Sequence, residues 1–345
     1  MRTPSRRRAI VPIIFVAALL GYSVWPWLPF SRAEATPPTI VFYGFSILAD
    51  VMQEAVFPAF QRAWAADGHG PVEFVSSFGA SGTVTNQLLM GVPAQVALLS
   101  LESDADRLAD AGVIERDSWK RLPNAGVVNL TPFVVVVRRG NPRNIHGFED
   151  LGRRGIQVVH PDPMTSGGAN WAIVAEYGSG ARGTPGGEAA GEAVLAGVWK
   201  NVVAQAASAR AARTQFENGF GDALVTYEQE AIVDRGKDRL DAEVVYPPRT
   251  ILSEHTLVVL DRHVPPQSRA LVAAFVRFLW SDEAQRLFVQ YGFRSVRPEL
   301  DSANTAFGTI ADPFRIADFG GWRAARRDIV ERVWRNRVMK ETSAR

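Results

Sequence analysis

Apolar positions along the chain alternate between two spacings. Thr39–Tyr43 (TIVFY) is a short run of β-formers, the pattern of a buried strand, while Ile47–Trp64 carries its apolar residues at helical spacing. Ser46, directly ahead of that helix, reads as its N-cap. The couple recurs as strand Val72–Val75 with helix Thr83–Met90, and as strand Gln95–Leu99 with helix Ser103–Ala111. Thr131–Arg138 (TPFVVVVR) is a longer β-branched run, stopped by Arg139-Gly140-Asn141-Pro142. The rhythm then restarts with strand Ile156–His160, loop Pro161–Gly168 and an Ala-rich helix Ala169–Tyr177. Gly178–Glu188 reads as a glycine-rich surface loop, followed by helices over about 189–200 and 212–218. Strands Ala223–Tyr227, Leu240–Tyr246 and Thr256–Leu260 come next, and helices over about 266–291 and 322–338 finish the chain. Alternating strand and helix predicts an α/β fold with mainly parallel sheets flanked by helices. Two such layers, joined by strand-like crossovers near Val127–Val134 and Ile251–Leu260, predict two lobes with a cleft between them and hinges at the crossovers.

The first 35 residues stand apart. Arg2, Arg6, Arg7 and Arg8 precede an apolar run from Ala9 to Phe30, and Ala33-Glu34-Ala35 fits a small-residue cleavage site, so this segment reads as an export signal. A retained membrane anchor is the alternative, because the run approaches the ~20 residues that a span needs. Ser5-Arg6-Arg7-Arg8 hints at a twin-arginine signal. The protein is therefore expected in the periplasm. The expected division is 1–35 as leader, 36–130 with 252–345 as one discontinuous lobe, and 131–251 as the other.

Composition removes several classes of chemistry. Cysteine is absent, which excludes disulfides, thiol nucleophiles and cysteine-based metal sites. The five histidines are never spaced as H-x-x-x-H, so no metal is expected, and no cofactor motif survives inspection. Gly178-Ser179-Gly180-Ala181-Arg182-Gly183 matches a dinucleotide fingerprint by letter but follows a helix instead of a strand. Neither a phosphate-binding G-x-x-x-x-G-K-[ST] loop nor a G-x-S-x-G elbow occurs. The 38 basic and 36 acidic residues become 33 and 35 once the leader's five Arg and one Glu are set aside, so the folded part lacks the basic excess of a nucleic-acid binder.

Three loops share one character. Gly44-Phe45-Ser46, Gly79-Ala80-Ser81-Gly82 and Thr165-Ser166-Gly167-Gly168 each place Ser or Gly at a helix start after a strand end. Unpaired first-turn amides and the positive end of the helix dipole favour an anion there, glycine lets the backbone approach it, and serine adds a neutral donor. Ordinary N-capping is the alternative for each loop taken singly. A rival of another class is a secreted serine hydrolase, with Ser166 or Ser81 paired to His160 and an acid. Asp104, Asp106 and Asp110 read as one solvated helix face.

From about residue 39 to 325 the chain resembles the periplasmic sulfate- and thiosulfate-binding proteins of ABC importers. The most specific block is Pro161-Asp162-Pro163-Met164-Thr165-Ser166-Gly167-Gly168-Ala169-Asn170-Trp171, supported by Gly79-Ala80-Ser81-Gly82, Arg138-Arg139-Gly140-Asn141-Pro142, Gly221-Asp222-Ala223-Leu224-Val225 and Phe319-Gly320-Gly321-Trp322. The resemblance implies a two-lobed periplasmic binding protein fold of type II, without catalysis, that closes over a dehydrated oxyanion and hands it to a membrane permease. A monomer is expected. The family's neutral donors fall on Ser81, on Ser166, Gly167 and Gly168, on the amide of Ala209 within Ser208-Ala209-Arg210, and on Tyr227 where the family has tryptophan. Asn170 stands where the family commonly has arginine, and Tyr43-Gly44-Phe45-Ser46-Ile47 departs from its usual N-x-S-Y-D. Ser46, Ser81 and Tyr227 together look closer to molybdate-binding relatives, so molybdate or tungstate is the alternative ligand.

Overall fold

The computed structural model describes residues 37–182, 186–235 and 242–340, and the expected leader, residues 1–35, lies outside them. Strands β1 (Thr39–Phe45), β2 (Glu73–Gly79) and β3 (Val96–Leu99) pair in parallel in the order β2-β1-β3. Two long strands follow in the sheet order, β4 (Val127–Arg138) and, pairing with it antiparallel, Arg249–Val259. A second parallel block holds β5 (Val158–Pro161), β6 (Val202–Ala206) and β7 (Ala223–Tyr227), in the order β7-β5-β6. β8 (Ala242–Val245) pairs with β4, and the long strand Arg249–Val259 is β9. Each block is parallel within itself, and the strands that join them are antiparallel.

β4 and β9 serve both blocks. Residues Val127–Pro132 of β4 pair with Leu252–Thr256 of β9, whereas Phe133–Val137 pair with β7. Pro132, which has no N–H to give a ladder, stands at the change of partner. The other end of β9 pairs with β3. The apolar run in β4 is continuous because both of its faces are covered: Phe133, Val135 and Val137 enter the main core, while Val134 and Val136 pack with Phe216 and Leu224.

Helices α1 (Phe57–Ala66), α2 (Ser81–Leu89) and α3 (Glu102–Asp110) flank the first block. Helices α4 (Gly167–Ala181), α5 (Gly187–Lys200), α6 (Ala209–Glu217) and α7 (Glu228–Arg235) accompany the second. The expected single helix over 266–291 is two, α8 (Arg269–Phe278) and α9 (Asp282–Gln290), because the Ser281 hydroxyl restarts the second by accepting from Ala284 N at 3.2 Å. Helix α10 (Gly321–Ala325) runs on as helix to Val338. This last segment lies against the second block, with Trp322 4.4 Å from Trp171 and Trp334 5.0 Å from Trp199, while Arg323 reaches Asp106 of α3 at 3.1 Å.

The expected loop Gly178–Glu188 is helix at both of its ends. α4 continues through Gly178 and Gly180, which are buried. A Cβ on Gly180 would stand 2.7 Å from Ala190 O, and one on Gly191 would stand 2.7 Å from Tyr177 O. These glycines let α4 and α5 pack backbone to backbone. β6 and the first half of β9 are further elements that the apolar pattern does not announce. No described helix is long and apolar enough to cross a membrane.

Candidate functional site

The three loops end as helix starts, but not as capped ones. Ser46 opens a short turn, Ser46–Leu48, with Phe45 in the cap position, and Ser81 opens α2 behind Ala80. Ser166 is the N-cap residue of α4, yet its side chain makes no cap bond. The N-capping reading therefore fails for these three hydroxyls. The helix holding Ala209 starts at that residue, three positions earlier than the pattern suggests, with the Ser208 hydroxyl accepting from Ala211 N at 3.1 Å. Gly167, Gly168 and Ala209 thus stand in first turns, where backbone amides have no intrahelical partner.

The fold brings most of these residues to one place. α2 and α4, from different blocks, meet where Gly82 N donates to Thr165 O at 2.8 Å. A Cβ on Gly167 would stand 2.7 Å from Ser100 Oγ and 3.0 Å from Ser81 Cβ; one on Gly168 would stand 3.1 Å from the Tyr227 hydroxyl. Only glycine lets the start of α4 approach the facing serines and the phenol this closely. Ser100 Oγ and Tyr227 OH share a hydrogen bond of 2.9 Å. Trp171, one turn into α4, donates Nε1 to Ser100 O at 2.7 Å. Ser46 and Ala209 lie at the edge of the cluster: α6 packs on the Ser46–Leu48 turn, and the Phe45 ring is 6.4 Å from that of Tyr227. Ser81 and Ser166 are each 4% exposed and Tyr227 1%.

No cation belongs to this set. Arg210, next to Ala209, pairs instead with Asp50 at 3.1 Å and Glu230 at 3.2 Å. His255 lies beneath the cluster, its ring 4.6 Å from Phe45 and 5.8 Å from Tyr227, with Nδ1 2.6 Å from Asn129 Oδ1. Burial pulls its pKa down to about 3, so the imidazole is neutral at physiological pH. Burial pushes the Tyr227 phenol up, which keeps its proton in place for donation.

Asp104 corrects the expectation of a solvated face. It is 3% exposed and accepts from Ser81 Oγ at 3.1 Å and from Arg107 at 3.0 Å. Burial raises its pKa, against the opposing charge of Arg107. A carboxylate therefore stands one hydrogen bond behind the Ser81 hydroxyl.

The hydrolase rival loses its base. His160 Nδ1 donates to Pro161 O at 2.6 Å, and Nε2 lies 3.1 Å from Glu176 Oε1, whose other oxygen accepts from Trp199 Nε1. A nucleophilic serine needs an imidazole nitrogen turned toward its hydroxyl, and both nitrogens of His160 are engaged elsewhere. Other motif residues hold the frame. Arg138 donates to Phe220 O and Gly221 O at 2.7 and 2.8 Å, tying two sequence blocks together. Asn170 donates to Pro163 O and Ser166 O, each at 3.1 Å, and so shapes the loop ahead of α4.

Ser100, Asp104 and the bond from Trp171 are what sequence reasoning missed. Ser100 interrupts Leu98-Leu99-Ser100-Leu101 at the end of β3, a polar residue where a strand of an α/β sheet meets its ligand side, and that is a usable signal.

The chain is similar in sequence and fold to several known proteins. The sulfate-binding protein of Synechococcus elongatus is 32% identical over 296 residues, covering 85% of this chain and 83% of its own. The thiosulfate-binding protein of Pseudomonas aeruginosa is 32% identical over 306 residues, 86% of this chain and 90% of its own. The solved sulfate-binding protein of Mycobacterium tuberculosis superposes with a TM-score of 0.75 at 31% identity, covering 84% of this chain and 98% of that one. A periplasmic molybdate-binding protein of Azotobacter vinelandii, at 15% identity and a TM-score of 0.52, shares the fold alone. The sequence profile described as "Bacterial extracellular solute-binding protein" matches residues 41–294. With nearly all of both parallel blocks, the two joining strands and the start of α4 inside that span, the chain belongs to the bacterial extracellular solute-binding protein family.

Proposed function

We propose that this protein captures sulfate or thiosulfate between its two blocks, on the extracytoplasmic side, and delivers it to the membrane permease of an ABC importer. The single observation that carries this reading is the meeting of helix starts from different blocks around neutral side chains, with Gly167 against Ser81, whose hydroxyl would turn from Asp104 to donate to the anion, and Gly168 against Tyr227. The relatives named for sulfate and thiosulfate, each 32% identical over most of the chain, support the anion. The proposed ligand-binding residues are Ser46, Ser81, Ser166, Gly167, Gly168, Ala209 and Tyr227.

A buried dianion loses its water, so each of its oxygens needs a donor. Bonds to a charged group contribute roughly 1.5–3 kcal/mol each. Several of them reach micromolar affinity, about −8 kcal/mol, without a lysine or arginine contact. Sulfate and thiosulfate carry no proton at neutral pH and ask for donors only, which hydroxyls and amides provide. Calorimetry of the mature protein against sulfate, thiosulfate, molybdate and phosphate tests the reading. Micromolar or tighter binding of sulfate or thiosulfate is expected. Binding of none of the four, or of molybdate far more tightly than sulfate, overturns it.

A further inference from the structure

Ser100 belongs to neither the loops nor the expected donors, yet it is held at their meeting point by two hydrogen bonds. It directly follows β3, in the first block, and is fully buried. Its backbone oxygen accepts from Trp171 Nε1 at 2.7 Å, and its hydroxyl meets that of Tyr227, at the end of β7 in the second block, at 2.9 Å. Both hydroxyls press on the paired glycines: Ser100 Oγ is 2.7 Å from where a Cβ of Gly167 would be, and the phenol oxygen 3.1 Å from that of Gly168. The bond therefore spans the two blocks beside the two consecutive first-turn residues of α4.

We infer that Ser100 is a specificity-determining residue: with Tyr227 it forms a hydroxyl clasp that sets the size of tetrahedral oxyanion the closed cleft accepts. The inference rests on the oxyanion reading proposed above. Each hydroxyl carries one hydrogen. One is spent on the mutual bond, which leaves the other to donate into the cleft, strengthened because its oxygen also accepts. The clasp holds only while the blocks stand at one separation. A sulfur-centred anion fits within it, and a larger molybdate stretches the bond. Neither residue can move aside, because Trp171 fixes the Ser100 backbone, and the ring of Tyr227 packs 4.5 Å from that of Phe133.

Ser100→Ala removes the clasp and opens about one hydroxyl of space without touching Ser81, Ser166 or the glycine amides. Titration calorimetry of wild type and Ser100→Ala against sulfate and molybdate is the test, with the melting temperature of each protein recorded. Sulfate affinity is expected to fall five- to tenfold and molybdate affinity to fall less or to rise, so that the sulfate-to-molybdate ratio drops about fivefold or more. Tyr227→Phe keeps the ring and removes only the partner hydroxyl. It is expected to lower the same ratio, and it decides the matter if Ser100→Ala does not fold. An unchanged ratio in a folded variant overturns the clasp, even where both affinities fall together. Wild type that binds none of the anions overturns the oxyanion reading first, and the inference with it.

Discussion

Two helix starts in this molecule use the same residue type in opposite ways. At α9, Ser281 spends its hydroxyl on the amide of Ala284, and Asp282 and Glu283 place negative charge in the first turn. At α4, Ser166 makes no cap bond, and Gly167 and Gly168 follow with no acidic residue in the first turn. The first helix end is complete in itself. The second keeps its positive dipole end and its first-turn amides uncompensated from within, in a place that is buried. A serine before a helix thus tells little until one asks whether its oxygen is already committed.

The sharpest way to break this contrast is to finish α4 as α9 is finished. Ser166→Asp would supply a capping carboxylate that takes the amides and repels a dianion. Anion binding should weaken by about 3 kcal/mol or more, with the melting temperature unchanged or higher. Calorimetry beside thermal melting checks it, and a variant that still binds at wild-type affinity would remove α4 from the site.

Gly167→Val comes next. Its side chain would meet Ser100 and Ser81 across the meeting of the two blocks, so overpacking there should cost roughly 1–3 kcal/mol of binding and leave the fold in place. Small-angle scattering should find the variant no more compact with sulfate than without it. Equal losses of melting temperature and affinity would make Gly167 a structural glycine instead.

Ser166→Ala removes only the hydroxyl and should cost about 2 kcal/mol of binding, the worth of one bond to a charged group. The smallest effect sharpens the other side of the comparison. Ser281→Ala should lower stability by about 1 kcal/mol and leave the dissociation constant where it was. Denaturant melts paired with calorimetry separate the two serines, and a binding defect in Ser281→Ala would collapse the distinction.

The parts of the site legible in the sequence are those that coincide with a change of period. Ser81 and the run Ser166-Gly167-Gly168 stand where a strand pattern gives way to a helical one, so their place at the strand ends could be read directly. Ser100 was hidden because it directly follows an apolar strand and contributes to no helix start. Its partner lies 127 positions away, a pairing that no local pattern encodes. Asp104 was misread because a buried acid with an arginine three residues on looks, by spacing alone, like a surface ion pair. The Gly178–Glu188 stretch misled for the opposite reason, since glycine that serves helix contact has the composition of a loop. The first half of β9 carries Ser253 and His255, polar yet buried, and a hydrophobicity pattern cannot announce a strand whose polar groups are satisfied inside.

His255 gives the site an acid-sensitive side that has nothing to do with the ligand's own protonation. Its folded pKa of about 3 lies well below the ordinary histidine value of 6.5, because burial disfavours the charged ring. Unfolding in mildly acidic solution therefore takes up a proton at this position. The site's contribution to stability is complete above about pH 6.5 and is lost as pH falls below it, with a slope of about 1.4 kcal/mol per pH unit. The same burial that keeps this ring neutral beneath the cluster thus makes this residue a drain on stability in acid.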